Sequence, residues 1–255
     1  MKLIVDTQAA TITRETNGEE STTPLYSRDA FEWLAEQWLK VGWACQYYHS
    51  FAWLGVPVMQ LPEDLLRVQE VVYRLRPTVI IETGVAYGGS LIFYASLLKL
   101  TGGRLVIGVD VTVLEESRRV LQQHELWPFI SLVEGHSVDP EVLARVRSQI
   151  DSSDRVLVVL DSCHEKRHVL AELEAYHACV TPGSYIVATD GIMRDLADVP
   201  GGAPEWLFDN PAAAALEFAA AHPAFVLEPP SWTFNMSALD KPVTYWPQAW
   251  LRHRG

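Results

Sequence analysis

Residues 156 to 168 read VLVVLDSCHEKRH. His164, Glu165 and His168 have the H-E-x-x-H spacing, which on a helix turns two imidazoles to one face for zinc and leaves a glutamate as general base. Here the pattern starts three residues after an apolar run of strand character, so it falls at the very beginning of the next helix. A zincin carries it inside a long helix and takes a third ligand from elsewhere. Zinc proteolysis is therefore the lesser reading, and Asp161 the more telling residue. It closes RVLVVLD, as Asp190 closes SYIVATD. If those two strands are neighbours, both carboxylates face one pocket at the carboxyl edge of the sheet and hold a hard cation, magnesium foremost, through oxygen. A cation there acidifies a substrate hydroxyl, and His164 is the candidate to take its proton.

A second constellation lies upstream. VIIETGVAYGGS joins a strand to a helix through Gly84, Gly88 and Gly89. It does not match G-x-G-x-x-G, which disfavours a dinucleotide. A cofactor without phosphate, with a carboxylate for the helix N-terminus and a ribose to bind, suits it better. Asp110 ends the next strand, VIGVD, where an acid accepts both ribose hydroxyls, and Ser137 in EGHSVD stands where an adenine would lie. S-adenosylmethionine fits this outline. The bland alternative is that the glycines only permit tight strand-to-helix packing.

The elements that must position these residues are legible. From Thr78 onward, short runs of Val, Ile and Leu alternate with longer periodic segments: TVIIE, RLVIGVD, ISLVEG, RVLVVLD and SYIVATD are strands buried on both faces, and helices cover them. The expectation is an α/β fold with a doubly wound, Rossmann-like sheet. Near the end, AFVLE and TFNMSALD are expected as two strands linked by Pro229-Pro230, an antiparallel finish to a mostly parallel sheet. PVTYWPQAWLR is then an aromatic tail packed on the domain or on another subunit. Upstream, Ser27 is an N-cap candidate for an amphipathic helix with Phe31, Leu34, Trp38, Leu39 and Val41, and Pro62 opens another. Residues 1 to 25 are polar and read as a mobile arm or as a strand that packs on another subunit. The division expected is an arm with a helical cap over residues 1–60 and one compact domain over 61–255.

The chain has 255 residues and is 49% hydrophobic, with 20 Lys+Arg against 32 Asp+Glu, a formal charge of -12. Such a surface repels phosphate backbones and anionic lipid, so neither nucleic acid nor a membrane is an expected partner. Cys45, Cys163 and Cys179 contain no C-x-x-C pair and leave one unmatched, which suits a reducing compartment, the cytoplasm. No apolar run approaches a bilayer span and no signal peptide is evident.

Two long blocks, FAWLGVPVMQLPEDLLRVQEVVYRLRPTVIIETGVAYGGSLIFYASLL and VLDSCHEKRHVLAELEAYHACVTPGSYIVATD, resemble the cephalosporin hydroxylases and rhamnosyl O-methyltransferases of natural-product pathways. The resemblance spans roughly residues 50 to 250. It implies a class I S-adenosylmethionine-dependent methyltransferase acting on a hydroxyl of a sugar or secondary metabolite, commonly with a divalent cation. The cofactor positions it implies are Glu82, Thr83, Gly84, Tyr87, Gly88, Ser90, Asp110, Val111, Ser137 and Asp161. The implied cation positions are Asp161 and Asp190. Relatives can carry an acidic pair at the later strand end, where this chain has Thr189 before Asp190. Trp43, Tyr47, Tyr48, Phe51 and Trp53 are candidates to stack on a glycosylated acceptor. A monooxygenase with iron on His164, His168 and Asp161, and a non-catalytic cofactor-binding partner, are the competing readings. The arm and the aromatic tail point to a homo-oligomer.

Overall fold

The computed structural model describes residues 1–255. Its first twenty-odd residues take the strand alternative, with the strands paired to one another within the chain. β1 (Lys2–Asp6), β2 (Thr11–Thr16) and β3 (Glu19–Pro24) form an antiparallel meander. Their polarity left arm and strand open; alternating threonines are good strand formers, and Ile12 supplies a buried anchor. α1 (Arg28–Ala44) follows, capped as expected by Ser27, whose side chain accepts from the Ala30 amide at 3.3 Å. A hairpin of β4 (Phe51–Trp53) and β5 (Val56–Val58) then leads into α2 (Pro62–Leu75), with its proline in the first turn.

The remaining chain winds one seven-stranded sheet. β6 (Val79–Thr83), α3 (Gly89–Thr101), β7 (Leu105–Asp110), α4 (Glu115–Gln123) and β8 (Ile130–Glu134) build outward in one direction. After α5 (Pro140–Arg147), the chain returns to the other side of β6 to lay down β9 (Val156–Leu160), α6 (Lys166–Tyr176) and β10 (Tyr185–Ala188). These five strands are parallel, and the reversal between β6 and β9 is the switch point at which ligands of such sheets collect.

The end of the sheet is half as expected. α7 (Pro211–Ala221) leads to β11 (Phe225–Leu227), but its antiparallel partner is β12 (Trp250–His253), drawn from the aromatic tail. TFNMSALD forms no strand, and Pro229-Pro230 opens a long excursion rather than a tight turn. Phe234 and Met236 are 75% and 87% exposed, whereas Trp250 and Leu251 are buried between β10 and β11. Burial, rather than β-propensity, selected the strand.

Side chains of the central strands alternate between two cores. Ile80, Val106, Leu157 and Val159 face the layer containing α2 and α3. Val79, Ile81, Ile107, Val156 and Val158 face that of α5, α6 and α7. Burial of both faces explains why these strands are apolar without interruption.

Candidate active site

The turn after β6 is built by exclusion. Gly84 has φ +90°, and a Cβ there would run into the Asp161 carbonyl; a Cβ on Gly89 would meet the Pro57 carbonyl. Backbone thus packs on backbone, and the Asp161 amide donates to the Thr83 carbonyl at 2.9 Å. Asp110, at the tip of β7, accepts from the Val85 amide at 2.8 Å and the Ala86 amide at 3.4 Å through Oδ2, and from the Thr112 amide at 3.2 Å through Oδ1. The acid therefore holds the turn in shape while lining the same cavity.

That cavity has a volume of about 440 Å³, within the range for a small-molecule site. Gly84, Tyr87, Gly88, Ser90, Asp110, Asp161, His164 and Asp190 all line it. Four of the expected cofactor residues do not. Glu82 and Thr83 are fully buried in β6, Val111 is exposed beside Asp110, and Ser137 is buried at the tip beyond β8. Glu82 nevertheless reaches the wall, because Ser90 donates to its Oε2 at 2.6 Å. Its Oε1 has no hydrogen-bond partner. Burial, and then the charge of Asp161, push the Glu82 carboxyl well above the usual carboxylate range.

β9 and β10 are neighbours, so Asp161 and Asp190 do meet. A ligand atom from each of Asp161, His164 and Asp190 lies within 4.8 Å of the others, with His164 Nε2 at 3.4 Å from Asp190 Oδ2. Although both aspartates keep some surface open to the cavity, its depth desolvates them: Asp161 is raised by desolvation and then by the charge of Asp190, and Asp190 chiefly by desolvation. Gln60 Nε2 donates to Asp161 Oδ2 at 3.1 Å, and the buried Thr189 hydroxyl lies 2.5 Å from Asp161 Oδ1. Thr189 thus orients the neighbouring acid from beneath.

The two histidines of H-E-x-x-H part company. Glu165 is the N-cap of α6, so His164 precedes the helix and His168 sits in its first turn. His168 Nε2 lies 3.3 Å from Ser137 Oγ, Ser162 Oγ and Glu172 Oε1, a cluster separate from that of His164. Neither a zincin face nor an iron triad of His164, His168 and Asp161 is assembled.

Of the five candidate aromatics, Trp43 and Tyr48 line the cavity. Tyr47 and Phe51 pack edge-to-face against each other, and Trp53 packs on Phe93 and donates to Ser96 Oγ at 3.1 Å. The sequence reading missed Gln60, Trp206, Tyr245 and Trp246, which complete the walls. Gln60 carried a signal, as the polar residue within VPVMQLP; the others come from loops with no periodicity. Asp64 explains how the tail arrives: it accepts from the Thr244 hydroxyl and, at 2.9 Å, from the Tyr245 amide. Burial raises its pKa to about 7.

The residues present fit a cationic, amino-acid-bearing cofactor and a hard cation. The glycine cradle admits backbone approach, and the carboxylates Asp161 and Asp190 offer oxygen ligands beside His164.

A sheet in the order β11-β12-β10-β9-β6-β7-β8, with β12 reversed and a glycine turn at the switch point, defines the class I methyltransferase fold. Solved structures agree. The Mg-SAM form of CmcI aligns with TM-score 0.53 at 18% identity, over 81% of this chain and 78% of that one. The O-methyltransferase from Bacillus cereus in complex with SAH aligns with TM-score 0.51 at 18% identity, over 79% and 84%. At these identities the likeness is one of fold. The chain belongs to the rhamnosyl O-methyltransferase/CmcI family, whose model matches residues 45–254. Among its relatives, the rhamnosyl O-methyltransferase of Mycobacterium bovis is 27% identical over 165 residues, which are 62% of this chain and 66% of that protein. This chain thus spans just under two thirds of that relative's length.

Proposed function

We propose that this protein is an S-adenosylmethionine-dependent O-methyltransferase acting on a deoxysugar hydroxyl, such as one of rhamnose, in a glycosylated secondary metabolite. The observation that carries the reading is the meeting, in one cavity, of the β6 glycine turn and Asp110 with the Asp161, His164 and Asp190 group. The family and its mycobacterial rhamnosyl relatives supply the sugar. Mg-SAM, in the name of a structural neighbour, agrees with a magnesium-type cation on Asp161 and Asp190.

S-adenosylmethionine supplies an electrophilic methyl group on a sulfonium, and a divalent cation supplies Lewis acidity for a hydroxyl. The chain's residues do the rest. Gly84 and Gly88 would let backbone approach the amino-acid end, Asp110 would accept from the ribose, and the adenine would extend toward Ser137, which stands outside the cavity lining. Trp43 and Tyr48 orient the acceptor in line with the methyl, which is where most of the rate enhancement arises. With Nε2–H turned to Asp190, His164 would keep the Nδ1 lone pair to take the hydroxyl proton as the C–O bond forms and the sulfonium sulfur–methyl bond breaks. Residues 1–60 serve as a cap, as β5 and the segment after α1 wall the cavity. The exposed apolar side chains of α1, such as Val41, support a homo-oligomer, and three free thiols support the cytoplasm. No helix is long and apolar enough to cross a membrane.

The test is transfer of labelled methyl from S-adenosylmethionine to a panel of rhamnosylated glycosides, with and without chelator. Methylation that falls on chelation is expected. Tight cofactor binding with no transfer to any glycoside would instead favour a non-catalytic cofactor-binding protein.

A further inference from the structure

At the opposite edge of the sheet from the cavity, α6 and α7 end side by side. His177 is the C-cap of α6 and His222 that of α7, with Glu174 one turn before His177. His177 Nδ1 lies 2.9 Å from the Glu174 carbonyl, and His222 Nδ1 lies 3.1 Å from the Phe218 carbonyl. A carbonyl only accepts, so each Nδ1 carries a proton, and in the neutral tautomer the lone pair is then at Nε2. Yet His222 Nε2 sits 3.3 Å from Glu174 Oε2. Two acceptors face each other there, an arrangement that only a proton or a metal cation between them makes favourable.

A ring nitrogen from each histidine and a Glu174 oxygen lie within 4.8 Å of one another. The 3.3 Å contact matches the ligand-to-ligand edge, about 3.3 Å, of a tetrahedral zinc site with bonds of about 2.0–2.1 Å. Backbone carbonyls holding Nδ1–H are the usual outer support of a metal-bound imidazole. The His222 ring is further fixed by stacking on Phe218, 4.0 Å away at 13°. Two helix C-termini add negative potential, in a chain of formal charge -12.

We propose that Glu174, His177 and His222 form a second metal site, for a divalent transition ion of the zinc type, which clasps α6 to α7. The two imidazoles select such an ion over magnesium. Because α6 spans 11 residues, about 16 Å, the clasp is remote from the cavity and independent of the reading of the cavity.

The test is zinc calorimetry and thermal melting on the full chain at near-neutral pH, with excess magnesium to occupy the cavity acids. One zinc per chain, with a raised Tm, is expected. His222→Gln and Glu174→Gln should each weaken it by about tenfold or more, while His164→Ala retains it. Glu174 is exposed, so its variant reports even if His222→Gln fails to fold. Absence of zinc uptake would assign the contact to a proton alone and overturn the proposal. So would zinc lost in His164→Ala but kept in both clasp variants.

Discussion

Asp161 is the residue on which most contacts of the cavity converge. Gln60 and Thr189 hold its two oxygens, its carbonyl excludes any side chain at Gly84, and His164 and Asp190 stand beside it. Asp161→Asn keeps the shape and removes the charge. Turnover should fall by about 10²-fold or more, the scale of a lost acid-base or cation-holding group, with cofactor affinity nearly unchanged in calorimetry. Undiminished turnover would remove Asp161 from the mechanism. Gly84→Ala acts differently, since it forces a side chain onto the Asp161 carbonyl at positive φ. It should lower Tm and weaken cofactor binding together, with a left-handed-backbone penalty of about 1–2 kcal/mol before the clash is counted. Wild-type stability in that variant would show that the turn can relax. Both aspartates, the glycine turn and His164 were legible as strand-end chemistry. Gln60 and Thr189 were not read as partners of Asp161, because they reach it from other strands and loops.

Among the elements, β6, β7 and β9 were recognisable because both of their faces are buried and their sequences carry no polar interruption. The meander of β1 to β3 was legible only as an open choice between arm and strand, since little of it faces a core and Thr and Glu suit either. Element ends show how the frame is tied. Arg104, before β7, grips Asp154, before β9, through Nε at 2.9 Å and a second guanidinium nitrogen, and the Thr78 hydroxyl, before β6, donates to the same carboxylate at 2.7 Å. The Arg104 hydrogen bond lowers the Asp154 pKa to about 2. A carboxyl depressed on folding stabilises the native state above its unfolded pKa of about 3.9, and that contribution is lost as pH falls toward the native value. Acid unfolding should therefore steepen below about pH 4. Asp154→Ala should remove that component and cost about 1–2 kcal/mol, a figure reduced because Arg104 is 41% exposed. An unchanged acid transition in denaturant titrations would show the clasp to be idle.

At the scale of the whole molecule, the C-terminal tail is both a sheet strand and a cavity wall. β12 enters between β10 and β11, and just before it Tyr245 and Trp246 enter the site, fastened by Asp64 of α2. Asp64 has its pKa raised to about 7 by burial. For a raised carboxyl, the protonated form is the one favoured by folding, so its contribution is full below the unfolded pKa of about 3.9 and disappears as pH rises through about 7. Asp64→Asn should flatten the decline in stability over that window, measured as denaturation midpoints against pH. A slope equal to wild type would assign the dependence to the cavity acids instead. The sequence by itself determined the five parallel strands, their helical covers, the glycine turn and the acids at the strand tips, because periodicity and chain-local sterics are written in neighbouring residues. Only the tertiary structure decided that Asp161 meets Asp190, that His164 and His168 serve different clusters, and that the last strand comes from the aromatic tail. Those outcomes depend on which strands lie side by side, and strand order is set by burial summed over the whole chain rather than by any short stretch of it.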